Sequence, residues 1–315
     1  MNDKKSEAAY YNKQSGLFLV LLSVALILTF TRANAVEPGV SAKLNFNVNA
    51  DDKLKALLPA ATVEKGYVIA GTNPNTPPTT FFLEDNKTLS GRDIDIMNAI
   101  GQRLGLKVIW RDTGGFDNII PGLKTGRFDA VLSNIRPSQK RFAQIDFISY
   151  FDSSRQAVIS RKDRAVAPFT ALTALCGQTV GAGVGTAQVE FLNEASHSCV
   201  NDKKPAITVA VFPSRPDGIV AVLSGRIPFY YGPWEGLAWQ AAQVKALAIT
   251  GEISVQEPPM SIGMPKGSPL EKAVQAALNS LIQDGTYQKI LDHWFIGYGA
   301  VKEAKLNEEI FATQS

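Results

Sequence analysis

From about residue 60 onward, strand-like and helix-like stretches take turns along the chain, and this alternation limits the fold more than any other feature. Tyr67-Val68-Ile69-Ala70 is rich in β-formers and stops at Gly71. Ile94, Ile96, Met97, Ile100 and Leu104 recur at helical spacing before Gly105. Leu106 to Trp110 alternates like a strand, Ile119, Ile120 and Leu123 open a helix before Gly126, and Phe128 to Leu132 reads as a buried strand. A second series starts at Thr179-Val180-Gly181, with a helix from about Thr186 to Ala195, a strand from Ile207 to Phe212 and a helix from Pro216 to Leu223. A long helix follows Pro269 and stops at Gly285; a short one runs from Thr286 to Trp294. The pattern predicts an α/β chain of two lobes, each a mostly parallel sheet with helices on both faces. The 315 residues suffice for two such lobes. Charge-rich Arg161-Lys162-Asp163-Arg164 and Glu257-Pro258-Pro259 read as the crossings. They give a first lobe of residues 63–158 and 256–298, a second of 159–255, an extension over 36–62 and a polar, loosely held tail over 299–315.

The beginning of the chain predicts export. Lys4, Lys5 and Lys13 precede an apolar run from Leu17 to Phe30, and Ala33-Asn34-Ala35 is a small-x-small site placing the mature start at Val36. The run is shorter than the roughly 20 apolar residues that span a bilayer. The only two cysteines, Cys176 and Cys199, both lie in the exported part, where an even count in an oxidising compartment predicts a disulfide. Formal net charge is +3, and the first 35 residues hold four of the basic and two of the acidic side chains, leaving +1 beyond them. Such a balance offers no electrostatic case for nucleic acid.

The residues argue against catalysis and metal binding. His197 and His293 are the only histidines, the first read as lying in a loop and the second as structural, and no H-x-x-H, H-E-x-x-H or C-x-x-C spacing occurs. There is no G-x-S-x-G elbow. The glycines of Gly181-Ala182-Gly183-Val184-Gly185 miss the dinucleotide spacing, since its third glycine would fall at Thr186. No cofactor is implied.

Several segments, in order, resemble the polar-amino-acid family of extracellular solute-binding proteins of ABC transporters (family 3). Ser90-Gly91-Arg92-Asp93-Ile94-Asp95-Ile96 is similar to the family's G-[FY]-D-[VI]-D-L run. Phe116 to Leu123, Gly126-Arg127-Phe128-Asp129-Ala130, Ser133-Asn134-Ile135 with Lys140-Arg141, and Asp146 to Phe151 follow in family order. Gly185-Thr186-Ala187-Gln188 and Gly285 to Leu291 with Trp294 complete the match. The resemblance implies the periplasmic binding protein-like II fold: two lobes joined by two crossing strands, with ligand in the cleft beyond the strands' carboxyl ends.

It also implies site residues. Arg141 falls where the family's arginine forks onto a ligand carboxylate, a geometry that lysine cannot imitate. Ser133 and Asn134 would offer short polar groups. Thr186 and Ala187 would sit at a helix N-terminus, which favours an anion. Asn73 stands where relatives can carry an acidic selector. Phe81, Phe82 and Trp234 are aromatics near the cleft. Two departures matter. Arg136-Pro137-Ser138 replaces a run that usually starts with a small hydroxyl residue, and Arg136 either fills part of the cleft or points to solvent. Pro233 takes the place of the aspartate that holds an amino acid's ammonium. Either Glu235 takes over, or carbonyls do, or the ligand lacks a simple α-amino group. The expected function is a periplasmic, monomeric receptor that closes by a hinge on a small polar amino acid or amino-acid-like carboxylate and hands it to a membrane permease. The alternatives are a periplasmic lyase or dehydratase on the same fold, with Glu235 as its acid or base, and a ligand-sensing partner of a membrane receptor.

Overall fold

The computed structural model describes residues 47–152, 155–164, 167–255 and 258–312. The expected export signal lies outside them. Two five-stranded sheets form the framework. The first has the order Lys107–Asp112, Tyr67–Thr72, Ala130–Val131, Met260–Pro265, Ile145–Phe151; the second runs Thr208–Phe212, Thr179–Gly183, Phe229–Pro233, Arg155–Arg161, Leu247–Ser254. In the first sheet only Met260–Pro265 opposes the other strands, and in the second only Arg155–Arg161 does. Each opposing strand is the one that has just crossed from the other lobe. Each sheet thus receives one strand that follows a crossing from the other lobe.

Apolar side chains cover both faces of each sheet. On Arg155–Arg161, Val158 joins the core under the helix Ala187–Asn201, whereas its neighbours Ala157 and Ile159 join the core under Arg215–Leu223. That alternation is the period of an extended strand buried on both sides. In the first lobe, Ile96, Met97 and Ile100 of Arg92–Arg103 pack with Leu278 and Leu281 of Glu271–Gln283. A small antiparallel sheet of Asn75–Thr76, Thr80–Phe82 and Leu89–Ser90 leads into Arg92–Arg103. Gly91 at that junction has φ 125°, and a Cβ there would fall 2.4 Å from the Thr79 carbonyl oxygen, so only glycine fits.

Three expectations are corrected. The first crossing precedes Arg155, so Arg155–Arg161 belongs wholly to the second sheet, and the charged segment 161–164 lies at the far end of that strand. The local charge pattern marked an exposed strand end, and it is strand pairing that fixes the lobe. The described part of the C-terminal segment, residues 299–312, is not loosely held. Ser149 donates to the Lys305 carbonyl at 2.9 Å, Asn307 donates to the Phe147 carbonyl at 3.0 Å, and Ala304 and Ile310 are buried. The segment therefore covers the free edge of Ile145–Phe151, an edge that would otherwise expose unpaired backbone groups. His197 lies in a helix and not a loop, because Ala187–Asn201 extends past the predicted end at Ala195. That helix also carries Cys199, which is joined to Cys176 and so tethers the helix to the turn leading into Thr179–Gly183.

A polar pocket between the two lobes

The pocket forms beyond the carboxyl ends of strands from both sheets. Tyr67–Thr72 delivers Asn73, Ala130–Val131 delivers Ser133 and Asn134, Thr179–Gly183 delivers Thr186, and Thr208–Phe212 delivers Arg215. Open α/β sheets bind ligands at such strand ends, where loop backbone and helix starts converge. Of the residues expected from sequence, Asn73, Ser133, Asn134, Arg141, Thr186 and Ala187 line one and the same pocket. Asn73 and Ser133 fix each other: the Asn73 N–H donates to Ser133 Oγ at 2.9 Å.

Asn134 has a supporting role that its sequence position did not reveal. It holds a left-handed φ of 54°, accepts from Arg92 Nη2 through Oδ1, and donates from Nδ2 to Thr79 Oγ1 at 2.6 Å. Arg92 is fully buried and occupies the aromatic position of the G-[FY]-D run. Its Nε donates to Asp93 Oδ1 at 2.9 Å, the Tyr150 hydroxyl donates to the same oxygen at 3.0 Å, and the Phe151 ring lies 4.1 Å from the guanidinium carbon. Burial pushes the Asp93 carboxyl above its usual range, and Arg92 pulls it back. The charged pair thus forms a polar floor under the pocket. The sequence offered a signal for it, an arginine in a slot that packing reserves for a ring, but no hint of its partners.

Arg141 crosses the cleft. Ser138 caps the short helix Gln139–Phe142 by accepting from the Arg141 N–H at 3.3 Å. The Arg141 guanidinium then donates to the Arg136 carbonyl at 2.8 Å and, on the second lobe, to the Gly185 carbonyl at 2.7 Å. Arg136 resolves into the cleft: it is buried, lines the pocket and donates from Nη1 to the Pro258 carbonyl at 3.0 Å, against the second crossing.

On the second lobe Thr186 is the N-cap of Ala187–Asn201, but its hydroxyl donates back to the Gly183 carbonyl at 2.7 Å and does not cap the helix. The first N–H groups of this 15-residue helix therefore begin at the pocket wall without a side-chain cap. Gln188 is buried beside them, its amide paired with that of Gln156 at 2.9 Å. Sequence reasoning missed Arg215, Gln188, Phe116 and Tyr230 as lining residues. Arg215 opens a helix directly after a strand of the predicted parallel series, and the strand-end rule could have found it.

Four expected residues lie elsewhere. Phe81 packs edge-on to Trp294, with ring centroids 5.9 Å apart, and toward Trp239 at 6.3 Å, while Phe82 is exposed. Trp234 carries the Arg155 guanidinium 4.0 Å from its ring centroid. Glu235 is buried and accepts from the Tyr298 hydroxyl at 3.1 Å. None of the four lines the pocket. The aromatics are drawn to apolar surface and to cation faces beside the crossings, and Glu235 in the first turn of Trp234–Gln243 points toward the same region.

The match to known proteins covers this whole framework. The arginine-binding protein ArgT of Corynebacterium glutamicum is 26% identical over 260 residues, covering 82% of this chain and 83% of that protein. An ancestral arginine-binding protein bound to arginine superposes with a TM-score of 0.66 at 28% identity, over 73% of this chain and 98% of its own. The ancestral amino acid-binding protein AncCDT-1, a precursor of cyclohexadienyl dehydratase, superposes with a TM-score of 0.60 at 26% identity, over 75% of this chain and 97% of its own. The model of the bacterial extracellular solute-binding proteins, family 3, matches residues 68–297, which takes in all of both sheets but Tyr67 and every described residue of the pocket, and the chain belongs to that family.

Proposed function

We propose that this protein is an exported receptor that closes its two lobes on a small polar, amino-acid-like carboxylate and presents it to the membrane permease of an ABC transporter. The observation that carries the reading is Arg141. It stands on the first lobe, lines the pocket and reaches the Gly185 carbonyl of the second lobe at 2.7 Å. A carboxylate held by its planar fork would touch the site where the lobes meet, so binding and closure would be coupled. The N-terminal signal delivers the chain across the membrane in this reading.

The enzyme alternative draws less support. Its acid or base was to be Glu235, which lies outside the pocket lining and is engaged by Tyr298. Among the described residues that line the pocket there is no carboxylate or imidazole, the usual side chains for proton transfer to a bound substrate. Native mass spectrometry of the protein purified from periplasm, followed by calorimetry with the twenty amino acids and simple di- and monocarboxylates, tests the proposal. Saturable 1:1 binding of a carboxylate is expected; turnover of a prephenate-like substrate, or no binding at all, would sink it.

A further inference from the structure

Gln188 lies in the first turn of Ala187–Asn201, lines the pocket and is only 6% exposed. Among the described residues its side chain makes one hydrogen bond, at 2.9 Å to the amide of Gln156. Gln156 is fully buried near the start of Arg155–Arg161, just past the first crossing. The end of its amide that meets Gln188 also lies 3.3 Å from the Gly232 carbonyl oxygen, and the other end lies 3.1 Å from Arg136 Nη2. A guanidinium only donates and a carbonyl only accepts. The Gln156 oxygen therefore faces Arg136, and its nitrogen faces Gly232 and Gln188. The opposite turn keeps the bond to Gln188 but sets oxygen against carbonyl and nitrogen against guanidinium, two buried mismatches. With the Gln156 nitrogen as donor, Gln188 accepts through its oxygen, and its own N–H groups are left for the pocket side.

We infer that Arg136 is the positioning residue of the second-lobe wall: through Gln156 it turns the Gln188 amide so that a donor faces the pocket, and the wall selects a solute whose group there is a carboxylate or another acceptor. This rests on the receptor reading above and adds how the second lobe chooses its end of the solute. The Gln188 N–H groups stand beside the first N–H groups of the same helix, which Thr186 leaves uncapped by donating to the Gly183 carbonyl. An ammonium brought to this place would meet the donor amide and the positive end of the helix. Arg136 is well placed to govern the arrangement. Its Nη1 donates to the Pro258 carbonyl beside the second crossing, and its own carbonyl accepts from Arg141. One residue of the first lobe thus supports Arg141 through its backbone and Gln188 through its side chain. The small hydroxyl residue usual at this position could not reach Gln156 and Pro258 together.

The test combines side-chain amide NMR of the isotope-labelled mature chain with calorimetry against each of the twenty amino acids. In the unliganded protein the Gln188 side-chain N–H protons should exchange with water faster than those of Gln156, because only the latter are bonded inside the protein. The tightest-binding amino acid should shift the Gln188 side-chain resonances. Gln156→Glu keeps an acceptor for Arg136 but offers Gln188 only oxygen, so the Gln188 amide must turn over and present its own oxygen to the pocket. Affinity for that amino acid should then fall roughly tenfold or more, the worth of one hydrogen bond to a charged group. The Gln188 resonances should also cease to respond to it. Arg136→Met removes the group that orients Gln156 and should lose the same response, which decides the matter where Gln156→Glu does not fold. Slower exchange at Gln188 than at Gln156, or wild-type affinity in folded Gln156→Glu or Arg136→Met, overturns the inference and leaves the receptor reading standing. Failure of the unmodified protein to bind any amino acid counts against the receptor reading, and the exchange rates still decide which way the Gln188 amide is turned.

Discussion

The Tyr298 hydroxyl donates to Glu235 Oε2 at 3.1 Å, joining the C-terminal segment beside the first crossing to the first turn of a second-lobe helix. The Tyr298 ring also packs edge-on to Phe151, at 5.8 Å between centroids, and to Trp234, at 6.2 Å. The contact therefore spans the two lobes next to the hinge and away from the pocket wall. Removing the hydroxyl with Tyr298→Phe should cost about 1 kcal/mol of the closed arrangement, the usual worth of a partly exposed hydrogen bond, and weaken ligand binding roughly fivefold. Glu235→Gln should do no more than that. Small-angle scattering would register a larger open fraction in both variants. Abolished binding in Glu235→Gln beside a neutral Tyr298→Phe would return Glu235 to the role of ligand partner.

Arg141→Ala removes the guanidinium that meets both lobes. Truncating one partner of a desolvated charge-assisted contact costs about 2–5 kcal/mol, a loss of roughly 30-fold to several thousand-fold in affinity. The fold should survive, because the side chain belongs to no apolar core cluster. Arg141→Lys should fail nearly as badly, since a single ammonium cannot present two parallel donors. Calorimetry and circular dichroism on the same samples check both halves, and normal affinity in Arg141→Ala refutes the site.

The Arg92–Asp93 pair sets up a double-mutant test. Both side chains are fully buried, and Asp93 depends on Arg92 and Tyr150 for its compensation. Arg92→Met should lower stability by about 3–5 kcal/mol, because it strands a buried carboxylate. Adding Asp93→Asn in that background should recover part of the loss, as the charge that lacked a partner is gone. Chemical denaturation of the four proteins reads the coupling; strictly additive losses would mean that the two residues act independently.

Asp95 predicts a pH dependence. Burial pushes its carboxyl up to about 6, against the pull of the Trp294 indole N–H, which donates to Oδ2 at 2.8 Å. In the unfolded chain the group titrates near 3.9. The native state thus binds the proton more tightly, so the stability linked to Asp95 is fully present below about pH 4 and is lost as pH rises through about 6. Glu271, pushed up to about 7 by burial and by Asp146, acts in the same direction. Asp95→Asn should keep the Trp294 bond, flatten the slope of unfolding free energy between about pH 4 and 6, and raise stability at neutral pH by about 1–2 kcal/mol. Urea titrations across that range measure it, and an unchanged slope would refute the assignment.

Local sequence carried the elements and the family. The spacing of Ile96, Met97 and Ile100 set a helix because one face of a 3.6-residue period must be buried, and all three are. The pairing of Cys176 with Cys199 was legible from compartment and count, and Ser133, Asn134 and Arg141 were legible as pocket residues through the family resemblance of their segment. Tertiary structure alone decided the rest. Which sheet receives Arg155–Arg161 depends on pairing with Phe229–Pro233 and Leu247–Ser254, far along the chain, and no charge run near residue 161 reports it. Whether Arg136 faces solvent or cleft, whether Glu235 meets a ligand or Tyr298, and whether Arg215 lines the same pocket as Arg141 are all questions of how two lobes abut. A side chain's type fixes the charge it can offer, but the partner that charge meets is set by long-range packing. In this protein long-range packing, and not the local sequence, brought Arg136, Arg141 and Arg215 to one pocket.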